Sequence, residues 1–111
     1  MPVPYDPRIV ANALLDAQIG GSRITNLSLQ KLLYFCHAKY LLEKGQPLVK
    51  GHFEAWKFGP VHPVVYEAFK GCGSDPITTR AHAVDVITRE HRFLPPLDDA
   101  SVQQYVVLTI A

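Results

Sequence analysis

The chain has no apolar run near the roughly 20 residues that a bilayer-crossing helix needs. Its opening Met1-Pro2-Val3-Pro4-Tyr5-Asp6-Pro7 also lacks the charged and then hydrophobic order of a secretory signal. A soluble, cytoplasmic protein without a membrane partner is therefore expected. No block of like charge occurs either: 11 Lys and Arg stand against 10 Asp and Glu, and the basic residues are scattered from Arg8 to Arg92. A grip on phosphate backbone needs several cations on one face, so nucleic acid ranks low among the expected partners. Cysteine is scarce and unpaired, with Cys36 in an apolar helical pattern and Cys72 in a glycine-rich turn. Two free thiols in a reducing compartment are the economical reading. Missing too are G-x-S-x-G, H-E-x-x-H, G-x-x-x-x-G-K-[ST] and G-x-G-x-x-G, along with internal repeats and low-complexity segments. Neither an enzyme nor a cofactor is expected.

What is present suits one domain spanning residues 1–111. At 48% hydrophobic content a chain of this length buries about two thirds of its unfolded surface. Asp6 is placed to cap a first helix with Pro7 at its first position, and Tyr5 with Val10 forms a hydrophobic staple. That helix runs to about Gln18, with Gly20-Gly21 as its stop. A second helix begins at Thr25 or Asn26 and ends at Lys44, before Gly45 and Pro47. Leu29, Leu33, Cys36 and Tyr40 form one stripe on it, while Tyr34, Phe35, Ala38, Leu41 and Leu42 cover much of the other side. A helix apolar nearly all round is packed on more than one face, so this one is the expected spine.

From Leu48 to Phe58 the texture turns to alternation, with Phe53, Ala55 and Lys57 on one side and Glu54, Trp56 and Phe58 on the other. Gly59-Pro60 is read as the turn, and Pro63 starts a third helix to about Lys70, with His62 extended before it. Residues 71–96 read as irregular apart from a strand around Val84 to Thr88. Asp98 or Asp99 caps a last helix from Ala100. That helix reaches Ala111 with no terminating device, so the chain reads as cut short. The expected fold class is mainly α, a compact helical domain with a central buried helix and a short extended or β-hairpin arm.

Gln30, His37 and Lys44 recur at seven-residue spacing along the second helix. They are read as its solvated side, with a partner-recognition edge as the alternative. Cys36, His37, His52, His62, Cys72, His82 and His91 lack the close ligand pairs of a zinc site, so no metal is expected. Cys36 with His62 or His82 would make a nucleophile and base, but burial on an apolar stripe makes a thiol inert. Trp56 and Val61 are read as core plugs, leaving Lys57, Phe58 and Tyr66 as exposed contacts. The first two helices have the outline of a helix-turn-helix. Residues 26–33 nevertheless offer few side chains for base edges.

Leu29-Gln30-Lys31-Leu32-Leu33-Tyr34, Glu54-Ala55-Trp56-Lys57-Phe58-Gly59-Pro60-Val61, and Pro63 with Tyr66 resemble, in order and spacing, the Panacea domain, the antitoxin fold shared by SocA-like proteins and phage-associated proteins. The resemblance implies a helical antitoxin that binds a cognate toxin protein, either blocking it directly or delivering it to the ClpXP protease as an adaptor. The partner-binding residues are then taken as Gln30, Lys31, Tyr34, His37, Lys57, Phe58 and Tyr66. The outer face of the last helix is a second apolar surface, suited to a partner or a homodimer. A DNA-binding regulator of its own operon and an enzyme with an unrecognised site rank behind the antitoxin.

Overall fold

A computed structural model describes residues 3–18 and 23–110. Helix α1 spans Pro7–Ala17, and Asp6 caps it by accepting from the Arg8 N–H. Burial would raise the Asp6 carboxyl, but the Arg8 hydrogen bonds outweigh it and hold that group below its ordinary range. The expected stop at Gly20-Gly21 lies outside the described residues. Helix α2 spans Asn26–Lys44. Thr25 and Ser28 exchange capping bonds at its start, and Gly45, left-handed at φ 70°, returns its N–H to the Leu41 carbonyl.

Strands β1 (Glu54–Trp56) and β2 (Gly59–Val61) form an antiparallel hairpin in which Trp56 faces Gly59. Lys57 and Phe58 therefore make the turn, not Gly59-Pro60. Gly59 takes the positive φ, at 124°, on entering β2. Helix α3 covers Pro63–Ala68 with His62 extended at its N-cap, and a short 3₁₀ turn at Lys70–Cys72 follows. A second antiparallel hairpin joins β3 (His82–Val84) to β4 (His91–Phe93). The strand expected at Val84 to Thr88 is thus mostly the connection between these two. Helix α4 spans Ala100–Ile110, and Asp99 accepts from the N–H groups of Ser101 and Val102. The described residues form a mixed fold, four α-helices with two short hairpins. Among the described residues no helix is long and apolar enough to cross a membrane.

The core forms where α1, α3 and α4 converge on one side of α2. Val10 and Leu14 meet Leu29, Leu33 and Cys36, with Val65, Phe69, Ile77, Val102 and Val106 closing the cluster. Each fully buried aliphatic or aromatic side chain contributes about 1.5–3 kcal/mol relative to exposure. Tyr40 and Tyr105 lock α2 to α4 edge to face, centroids 5.1 Å apart. The N-terminal segment is tied to residues 48–50 by Tyr5 N–H to Leu48 O and Lys50 N–H to Tyr5 O, both 2.8 Å.

The stripe Leu29, Leu33, Cys36 and Tyr40 is buried as expected, but the remaining apolar side of α2 is not. Phe35 and Leu42 are exposed, the latter at 86%, and Leu41 and Tyr34 lie half open. The described chain supplies neighbours to only part of the helix circumference. The second hairpin is clamped to α1 at its base by Asn12. Its Nδ2 donates to the Ala81 carbonyl at 3.0 Å and its Oδ1 accepts from the Ala81 N–H at 2.9 Å, which copies the pairing of a strand residue. Arg80 and Asp16 add an ion pair at 2.7 Å.

Candidate functional site

Local chemistry sets up the region around the first hairpin. Gly51, at φ 84°, brings the chain against the His62 ring so closely that a Cβ there would lie 2.9 Å from Nε2. The approach lets His62 Nε2 donate to the Lys50 carbonyl at 2.8 Å, since a carbonyl can only accept. Phe53 fills the space beside it, with its ring edge to face with His62 at 5.2 Å, against Tyr34 at 5.4 Å and near His37 at 5.3 Å.

Beneath the hairpin runs a chain of buried amides. Asn26 Nδ2 donates to the Tyr66 carbonyl, Gln30 Nε2 donates to Asn26 Oδ1, and the His62 N–H donates to Gln30 Oε1. Buried polar groups demand such partners, and these fix α3 and the base of β2 onto the first turns of α2. Gln30 is 1% exposed. The reading of Gln30, His37 and Lys44 as a solvated line therefore fails at its first member, because both ends of that amide are used inside. The side chain cannot reach a partner without breaking the chain of bonds. His37 is half-buried, its Nδ1 accepting from the Val49 N–H at 3.4 Å, and only Lys44 is open.

Burial, and secondarily His62, holds the His37 imidazole below its ordinary value. Burial likewise lowers His62 against the opposing bond to Lys50. Both rings are neutral at neutral pH. His62 Nδ1 is buried and has no hydrogen-bond partner among the described residues. Cys36 is buried and its thiol pushed up by desolvation, which removes it as a nucleophile. Among the described residues, no group of three or more His, Cys, Asp or Glu side chains could hold a metal ion. The first turns of α2 are likewise committed inward through Asn26, Leu29 and Gln30, leaving Lys31 as the one cation there.

The hairpin's outer surface carries the remaining candidates. Trp56 was expected in the core but is 42% exposed. It lies edge to face on Tyr66 at 4.9 Å and donates through Nε1 to Glu54 Oε1 at 2.9 Å. Period-two alternation puts Glu54 and Trp56 on the same face, and a two-stranded sheet has no second layer to cover it. Val61, by contrast, is buried as expected. Phe58 stands 64% exposed at the turn with Lys57 Nζ 5.4 Å from its ring centre.

Leu27, Trp56, Lys57, Phe58 and Tyr66 line a groove of about 660 Å³ between the start of α2, the turn and α3. On the other side of the hairpin, Tyr34, Phe53 and Trp56 border a shallower recess. Lys31 lies alongside, its Cε 3.6 Å from where a Cβ on Gly59 would stand. The structure thus brings Lys31, Tyr34, His37, Lys57, Phe58 and Tyr66 around one hairpin, with Gln30 as the buried support. Trp56 and Leu27 belong to this surface and were missed. Alternation in the arm was the available signal for Trp56, and nothing local marks Leu27.

A small mixed fold of helices and short hairpins, one of them carrying an exposed aromatic turn, is what the geometry defines. The family model described as Antitoxin SocA-like, Panacea domain matches residues 29–92, and the chain belongs to that family. It is 49% identical over 104 residues to a protein named Antitoxin SocA from Caulobacter vibrioides (strain NA1000 / CB15N). That alignment takes in 93% of this chain and 55% of the relative, so the chain spans about half the length of the curated protein it matches. No solved structure matches. The resemblance read from residues 29–34 and 54–61 is borne out.

Proposed function

We propose that this chain is the binding half of a toxin–antitoxin pair, acting in the cytoplasm by occupying a cognate toxin protein without catalysis. The observation that carries the reading is 49% identity, across 93% of the chain, to a protein named as an antitoxin. The hairpin surface supports it. Exposed Trp and Phe at a hairpin turn are residue types favoured at binding hot spots, and buried bonds seat α3 and the base of β2 on α2 before any partner arrives.

Two mechanisms fit a binding antitoxin: direct masking of the toxin, and delivery of the toxin to the ClpXP protease. Both need only a surface. The test is growth of cells in which the neighbouring reading frame is induced alone or with this chain, followed by pull-down of the pair. Rescue with co-purification is expected, and toxicity that this chain leaves untouched would overturn the reading. Rescue that persists in a ClpXP-deficient host assigns masking, and rescue lost there assigns delivery.

A further inference from the structure

We propose that the groove between the start of α2, the β1–β2 turn and α3 takes an acidic segment of the partner protein that presents one bulky apolar side chain. The proposal rests on the antitoxin reading and adds the chemistry of the contact. Two features of the surface select that occupant.

The first is charge. Lys57 lines the groove and Lys31 flanks the same hairpin, and neither has an ion-pair partner among the described residues. Among the described residues no carboxylate lines the groove. The nearest acid on the hairpin, Glu54, is already engaged by Trp56 Nε1 at 2.9 Å and His52 Nε2 at 3.2 Å, which hold its carboxyl below the ordinary range. Lys57 in the lining and Lys31 on the α2 flank of the hairpin therefore give this side of the molecule a positive character, which complements an acidic segment and repels a basic one.

The second is shape. Leu27, Trp56, Phe58 and Tyr66 surround the cavity of about 660 Å³, enough volume for one large side chain and its flanking backbone. The Trp56 and Tyr66 rings are held against each other at 4.9 Å, so these two walls exist without the occupant. Apolar walls beside a lining lysine suit an apolar anchor flanked by carboxylates.

The probe is a labelled peptide, Asp-Glu-Trp-Glu-Asp, titrated into the full chain and followed by backbone amide NMR shifts. Lys-Arg-Trp-Arg-Lys and Asp-Glu-Ser-Glu-Asp serve as comparators. Shifts at Leu27, residues 56–59 and Tyr66 are expected for the first peptide alone. Its affinity should fall by roughly ten-fold or more in K31E/K57E, and fall with added salt in the wild type only. Equal binding of the basic peptide, shifts centred on α4, or no binding at millimolar peptide would overturn the proposal. So would tighter capture of a single-stranded oligonucleotide, or self-association through the groove that F58A abolishes.

Growth rescue gives the second arm. If the wild type rescues and K31E/K57E rescues equally, the groove assignment falls while the antitoxin reading stands. If K31E/K57E fails, with an unchanged melting curve, and L42E near the other end of α2 still rescues, the groove is the contact. If the wild type itself does not rescue, the antitoxin reading falls and the peptide titration alone judges the groove.

Discussion

Gln30 on α2 accepts the backbone N–H of His62 at 2.8 Å, joining the first turns of the central helix to the start of α3. The same amide donates to Asn26 Oδ1 at 3.0 Å. Replacing Gln30 with Leu leaves a buried N–H and a buried amide oxygen without partners. The expected loss of stability is about 2–4 kcal/mol, from two unsatisfied groups at 1–3 kcal/mol each with part of it offset by the added apolar volume. Urea unfolding midpoints check it. A loss under about 0.5 kcal/mol would mean that the amide chain is not what pins the hairpin.

Stability should fall on mild acidification. His62 and His37 both have folded values below the ordinary histidine value, chiefly because burial disfavours the cation. In the interval between the folded and unfolded values the unfolded chain binds more protons, so stability rises with pH there. It is complete above the ordinary value near 6.5 and declines as pH drops below it. Midpoints in urea at about pH 7.5 and about pH 5 measure the slope. H62Q with H37N, which keep a donor or acceptor but do not titrate, should flatten it. An unchanged slope in that double variant would exonerate both rings.

Trp56→Ala separates the two roles offered for that residue. A buried Trp truncation costs about 3–5 kcal/mol, whereas a half-exposed ring that loses one edge contact with Tyr66 should cost about 1 kcal/mol. Thermal or urea unfolding decides between them. With stability kept, toxin co-purification by the variant should still drop, since the ring walls the groove.

Thiol labelling should be split. Cys72 is part-exposed, while Cys36 is buried and its thiol raised by desolvation. A disulfide reagent near neutral pH is expected to modify Cys72 in the native state and Cys36 only under denaturant. Rapid native labelling of both would show that the packing of α2 against α4 opens readily.

Much of this was legible where a few adjacent residues decide the outcome. Asp6-Pro7, Thr25 and Gly45 announce helix ends by local hydrogen bonds and backbone preference, and α1, α2 and the Asp99 cap follow from them. The stripe Leu29, Leu33, Cys36 and Tyr40 found its buried side because four residues repeat one demand. Gln30 was misread because its partners lie four and 32 residues away, and only the tertiary fold supplies the second.

Trp56 was misread for the converse reason. Its size argues for burial, while the layer that would bury it is absent from a two-stranded arm. The second hairpin escaped because β3 and β4 are largely exposed, so no alternation of apolar residues marked them. That Lys31, Tyr34, His37, Lys57, Phe58 and Tyr66 gather around one hairpin could not be read locally, because it takes Gly51 and Phe53 to fold the arm back onto α2.

The clamp of Asn12 on Ala81 has a consequence for how such a protein can change over generations. Ala81 and Leu97 are buried, and nearly everything between them is exposed, Val86 and Ile87 at the tip almost wholly so. Leu94 against the core and the His82 carbonyl taken by Arg8 add attachments near the two ends, and lengthening the tip between them costs little because closure entropy grows slowly with loop length. The second hairpin is therefore a cassette: its sequence and reach can be rewritten, or exchanged for another, while α1, α2 and α4 go on folding as before.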